Sequence, residues 1–204
     1  MKRLVLASNN PGKIREIAAL LRPLAIEVVP QAELGIAEAD EPHETFLENA
    51  LAKARHASRA CGLPALADDS GLCVPALAGE PGVHSAYYAG REGGREQRDA
   101  RNNERLLREL KEDRKAYYAC VMVLTRDGSD PLPLVAEGLW HGEIARAPRG
   151  ANGFGYDPIF YYPPFGCTLA ELDQQKKASV SHRGKAFRAL RDYLMKAQSG
   201  SVMQ

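Results

Sequence analysis

Long apolar runs are missing from this 204-residue chain. Its longest uninterrupted hydrophobic stretches fall well short of the roughly 20 residues that a membrane-spanning helix needs. Lys2 and Arg3 are followed only by the brief apolar segment 4–7. Residues 1–7 therefore read as a short strand rather than the h-region of a secretory signal. Charge of one sign is missing too: 27 Lys and Arg oppose 26 Asp and Glu, leaving a formal net charge of +1. Acids and bases alternate along the chain, so the broad basic field of a non-specific nucleic-acid binder is absent. Cysteine is sparse: Cys61, Cys73, Cys120 and Cys167 form no Cys-x-x-Cys pair. That argues against a structural zinc site or a dithiol redox motif, and reads as reduced, mostly buried thiols of a cytoplasmic protein. There is no internal repeat, no low-complexity tract and no linker.

What is present is a hydrophobic content of 45% over 204 residues. That suffices for one sizeable core, or two lobes sharing one. The expectation is a single domain over residues 1–204, with 198–204 as a flexible tail. Residues 3–7 read as a buried strand and 26–29 as another. Between them a helix opens near Pro11, with Ile14, Ile17, Ala18 and Leu21 as its apolar stripe. Thr45 and Glu48 form a capping box that opens a helix ending at Gly62. Leu66–Ala67 reads as a short strand that turns at Ser70-Gly71, residues 78–94 as a glycine-rich loop, and 104–112 as a helix. Residues 117–125 and 134–144 read as paired strands around a turn. One helix is expected over 168–177, and a last one from Ser181 with Ala186, Leu190 and Leu194 inward. Early alternation of strands and helices, followed by paired strands, predicts an α/β fold with a mixed sheet.

Five stretches carry candidate chemistry. Ser8-Asn9-Asn10-Pro11-Gly12-Lys13 joins a strand to a helix, with Asn10 suited to the N-cap and Pro11 to the first helical position. Lys13 then falls in the first turn, where the helix dipole repels a cation. Unpaired N–H groups, small polar side chains and a cation converging there make a phosphate site; a routine cap with a solvated lysine fits the same residues. Asp68-Asp69-Ser70-Gly71 places two carboxylates at the end of an apolar strand. Crowded carboxylates are costly unless a metal cation or a lysine neutralises them, Mg²⁺ with substrate phosphates being the usual metal; an acidic turn capping backbone N–H groups is the alternative. Glu41 and Glu44 lie in an acidic loop, and Asn49, Lys53 and His56 follow on one helix face. For His56 and Glu44 a plain solvated role is preferred. Gly153-Phe154-Gly155-Tyr156-Asp157 offers an aromatic that can stack on a base or pack on the core. Last, Lys176, Lys177, His182, Arg183 and Lys185 crowd a helix start, a second breach of the dipole rule.

Taken together, these stretches resemble the inosine triphosphate pyrophosphatase family from Leu4 to about Leu194. The resemblance rests on SNNPGK at 8–13, ETFLENALAKA at 44–54, ADDSGL at 67–72, PGVHSAYYAG at 81–90, GFGYDPIF at 153–160 and SHRGKA at 181–186. It implies an elongated α/β fold with a long mixed sheet, two lobes and an active-site cleft between them. It implies Mg²⁺-dependent hydrolysis of non-canonical purine nucleoside triphosphates (ITP, dITP, XTP) to the monophosphate and pyrophosphate. Glu41 and Asp69 would hold Mg²⁺; Asp69 would activate water, with Asp68 and Lys53 supporting. Ser8, Asn9, Asn10, Pro11, Gly12 and Lys13 would bind the triphosphate and Ser70 would touch substrate. Ser8 stands where members often have Thr, and keeps the hydroxyl. Phe154, Gly155, Tyr156 and Asp157 would frame the nucleoside, with Lys177, His182 and Arg183 at the base. A homodimer with no nucleic-acid or membrane partner is implied. Two other readings stay open on the residues alone: a pyrophosphatase for modified pyrimidine nucleotides, and a nucleotide- or RNA-binding module without catalysis. The carboxylate cluster disfavours RNA, whose phosphates it would repel.

Overall fold

A computed structural model of the protein describes residues 2–198. The strands are β1 (Arg3–Leu6), β2 (Glu27–Pro30), β3 (Ala65–Cys73), β4 (Lys115–Thr125), β5 (Leu134–Ile144), β6 (Phe160–Tyr162) and β7 (Cys167–Thr168). The α-helices are α1 (Pro11–Leu21), α2 (Phe46–Cys61), α3 (Arg95–Glu109), α4 (Gln174–Val180) and α5 (His182–Gln198). The sheet order is β2-β1-β3-β4-β5-β6-β7. β1 runs parallel to β2 and β3, whereas β5, β6 and β7 pair antiparallel, so the sheet is mixed as expected.

The chain forms two compact units. The first comprises residues 2–69, 120–138 and 183–198, the second 70–119 and 139–182. In the first unit, strand alternation sorts the core into two sets. Leu4, Leu6, Leu66, Cys120, Met122 and Leu124 pack with Ile17 and Leu21 of α1 and with Ala186, Phe187, Leu190 and Leu194 of α5. Val5, Ala7, Ala65, Ala67, Val121 and Val123 pack instead with Ala50, Ala54 and Ala57 of α2. The small side chains on α2 allow close approach to the strands. α2 starts at the Thr45 cap, whose hydroxyl accepts from the Glu48 amide at 3.2 Å, and stops at Gly62, which takes the left-handed φ of 71°. The second unit packs Leu72, Val74, Leu106, Leu110, Tyr118, Trp140, Ile144, Ile159 and Phe160 around Tyr156.

Four sequence expectations change. β3 does not turn at Ser70-Gly71 but continues to Cys73, buried along nearly all its length; a buried strand overrides the local turn preference of Ser-Gly. The helix expected at 104–112 is α3, which begins at Arg95, because its polar first half carries no apolar stripe to read. The stretch 78–94 contains a 3-10 segment, Gly82–Tyr87. The helix expected over 168–177 is two pieces: a 3-10 turn, Leu169–Glu171, inside the Thr168/Glu171 capping box, and α4, capped separately by Asp173. All four cysteines are free thiols, Cys73 and Cys120 buried. Among the described residues no helix is long and apolar enough to cross a membrane. The expected tail at 198–204 lies, beyond Gln198, outside the described residues.

Candidate active site

The first unit gathers the acidic pair. Asp68 follows the Leu66 side of β3 and Asp69 follows the Ala67 side, so adjacent carboxylates enter different surroundings. Asp68 is fully enclosed. Lys13 Nζ lies 2.6 Å from its Oδ1, and Arg183 Nε 3.2 Å from its Oδ2. The Cys120 thiol donates to the same Oδ2 at 2.9 Å. Arg183 also pairs with Glu16 of α1. Burial alone would raise the Asp68 pKa, but Arg183 and Lys13 outweigh it and hold the carboxyl well below the usual carboxylate range.

Asp69 meets the α2 side. Lys53, one turn from Ala50 and Ala57 on the buried face of α2, brings Nζ to 2.9 Å from Asp69 Oδ1 and 2.9 Å from Glu41 Oε1. The loop carrying Glu41 is tied to α2 by Asn49, which accepts from the His43 amide and donates to the His43 carbonyl, both at 3.1 Å. Asp69 Oδ2 is buried and has no hydrogen-bond partner. Burial raises the Asp69 pKa, and the lysines Lys53 and Lys13 only partly offset it. For Lys53, burial is outweighed by Asp69 and Glu41, so its ammonium is strengthened.

The opening loop behaves as a cap. Asn10 Oδ1 accepts from the amides of Gly12 at 3.0 Å and Lys13 at 3.2 Å. Ser8 Oγ accepts from the Asn10 amide, and Asn9 Oδ1 from the Gln31 side chain. Lys13 sits at the dipole-positive end of α1 because Asp68 is there to receive it. His56 hydrogen-bonds the Ala37 carbonyl, Glu44 is exposed, and Ser70 is half-buried on β3.

In the second unit the 153–157 loop is organised by Asp157. Its Oδ2 accepts from the Phe154 amide at 2.8 Å and from Lys177 Nζ at 2.6 Å. Gly153 has a φ of 81°, and a Cβ there would stand 2.0 Å from that same oxygen, so only glycine fits. The Gly155 amide donates to Asp99, its carbonyl accepts from Asn103, and the Tyr156 hydroxyl donates to the Ser85 carbonyl. Half-buried Phe154 carries Arg95 at 4.9 Å and Lys177 at 5.0 Å from its ring centroid. His182 is buried, its ring stacked on Tyr118. Sequence reasoning missed Glu16, Cys120, Asp99, Asn103, Arg95 and Tyr118. Each serves through a partner distant in sequence, and none stands in a readable motif.

Two carboxylates sharing one cation, with a buried oxygen left over, suit a hard divalent ion such as Mg²⁺. Among the described residues no three His, Cys, Asp or Glu side chains converge, so water and substrate oxygens would have to complete its shell.

Residues 4–193 match the Ham1 family. A dITP/XTP pyrophosphatase of Burkholderia pseudomallei is 65% identical over 190 residues, covering 92% of this chain and 91% of that protein. One of Nitrosomonas europaea is 56% identical over 205 residues, covering 100% of this chain and 99% of that protein. The solved structure of a HAM1 protein from Coxiella burnetii superimposes with a TM-score of 0.88 at 48% identity, covering 96% of this chain and 100% of that one.

Proposed function

Since the chain belongs to the Ham1 family, we propose that Asp69 and the groups around it carry out the nucleotide hydrolysis characteristic of that family. The activity is that of a dITP/XTP pyrophosphatase, a nucleotide hydrolase. The observation that carries the assignment of roles is the Asp69 carboxylate, with one oxygen held by Lys53 and the other buried and unpaired.

In this reading Asp69 Oδ2 accepts the proton of a water that attacks the α-phosphorus. The new O–P bond forms as the bond to the bridging oxygen breaks, giving the monophosphate and pyrophosphate. Burial makes Asp69 a stronger base than a solvated aspartate. Lys53 keeps the carboxylate oriented through Oδ1 and offsets its charge when phosphate approaches. Glu41 and Asp69 would hold Mg²⁺. When bound, that ion neutralises charge on the polyphosphate. Lys13, partly accessible beside Asp68, supplies a cation to the phosphates, with Ser8, Asn9, Asn10, Pro11 and Gly12 forming the small polar turn around them.

The second unit reads the nucleoside. Phe154 offers its ring to the base in place of one of its two cations, and Gly155, Tyr156 and Asp157 frame it. Lys177 and His182 present donors to a 6-keto oxygen, and Ser70 adds a substrate contact, while Arg183, enclosed with Asp68 and Glu16 in the first unit, stays with the anchoring cluster. A 6-amino group leaves such donors unpaired, which is the stronger form of discrimination. A homodimer and a cytoplasmic setting belong to the same reading.

The test is product analysis with dITP, XTP and dATP, with and without Mg²⁺. The expected result is pyrophosphate and monophosphate from dITP and XTP, little turnover of dATP, and none after chelation. Release of orthophosphate, or equal turnover of dATP, would overturn it.

A further inference from the structure

Tyr118 occupies a position in the second unit that no sequence motif announces. It lies buried on β4, and its ring is stacked on the His182 imidazole with centroids 4.7 Å apart and planes 8° apart. Phe160 packs on Tyr118 at 4.9 Å, and Trp140 packs on both Phe160, at 5.8 Å, and His182, at 6.3 Å. The Tyr118 phenol lies close to Tyr156 and Asp157, and burial together with the Asp157 charge pushes its pKa well above the ordinary value. Its ring thus meets the first residue of α5, and its phenol end lies near the 153–157 loop, the two segments proposed to frame the base.

An imidazole presents either an N–H or a C–H edge depending on its ring torsion, which is soft in isolation. A donor aimed at a keto oxygen discriminates only while its direction is fixed. A flat aromatic stack fixes the ring plane without occupying either nitrogen. We propose that Tyr118 is a positioning residue for base selection: its ring sets the plane of the His182 imidazole so that the 6-position of the purine is read in one orientation. This rests on the reading that His182 meets the base. No proton moves through Tyr118; burial keeps its phenol protonated throughout the working range.

The experiment measures the ratio of kcat/KM for dITP to that for dATP, a quantity insensitive to the fraction of folded enzyme. Tyr118→Leu lowers the ratio by about tenfold, chiefly through KM for dITP, while Tyr118→Phe keeps the parental ratio. In a His182→Ala background, Tyr118→Leu causes no further drop, because the ring it positions is gone. If Tyr118→Leu does not fold, Tyr118→Met, closer in volume, carries the same expectation. An unchanged ratio in the leucine or methionine variant, with a reduced ratio in His182→Ala, overturns the positioning role while leaving base recognition by His182 standing. An unchanged ratio in His182→Ala overturns the base-reading role itself, and the inference falls with it.

Discussion

The two sides of β3 treat neighbouring carboxylates in opposite ways. Asp68 is clamped by Lys13, Arg183 and the Cys120 thiol, and its pKa is driven down. Asp69 has one lysine on one oxygen, nothing on the other, and a raised pKa. Both are buried. The difference lies in how completely burial is compensated. A carboxylate whose charge is fully matched is an anchor, fixed as an anion and chemically quiet. One left partly unmatched retains the drive to take a proton or a cation, which is what a general base or a metal ligand needs.

That contrast can be broken on the reactive side first. Asp69→Asn removes the proton acceptor and lowers kcat by about a thousandfold; near-normal turnover in a steady-state assay would remove Asp69 from the chemistry. Lys53→Met takes away the cation that orients Asp69, lowering kcat by about ten- to a hundredfold. It also raises the Asp69 pKa further. Because the base must be ionised, the acid limb of the pH–rate profile moves to higher pH; an unmoved limb would mean that Lys53 does not govern Asp69.

On the anchoring side the effect is on stability. Asp68→Asn leaves buried Arg183 and half-buried Lys13 facing a neutral amide, at a cost of about 3 kcal/mol. Calorimetry should show Tm lowered by roughly 6–12 °C. The smallest effect sharpens the rule that a clamped carboxylate is an anchor. Asp130 accepts from Arg126 Nε at 2.8 Å and from the amides of Arg126 and Leu132 at 2.9 and 3.0 Å, which holds its carboxyl far below the ordinary range. Its stabilisation is therefore complete above the unfolded-state pKa and is lost as pH falls toward the folded-state value. Urea midpoints measured down through that interval should decline less steeply in Asp130→Asn than in the parent.

Much of this was legible before the fold was seen. Asn10 and Pro11 announced the start of α1, Thr45 and Glu48 that of α2, and the inward positions Ala186, Leu190 and Leu194 proved buried. The two cations at helix starts point, from the sequence, to an anionic ligand; in the structure both are paired with a carboxylate of the chain itself. Lys13 and Arg183 find Asp68, 55 and 115 residues away in the chain, and no local pattern encodes such a pairing. The opposite fates of Asp68 and Asp69 were hidden by reading Ser70-Gly71 as a turn. Once the strand is known to run through to Cys73, its two-residue period separates them. The second unit was less legible, because the 153–157 loop is held by Asp99 and Asn103 of α3, by Ser85 and by Lys177, from three separate places in the sequence.

The sharpest single measurement is the thermal midpoint of Asp69→Asn. A raised pKa means that the folded protein tolerates the ionised group less well than water does, so the neutral isostere should melt at or above the parent temperature, with Lys53 still paired to Glu41. A fall as large as that of Asp68→Asn would show that both carboxylates are structural anchors, and the division of labour across β3 would be wrong.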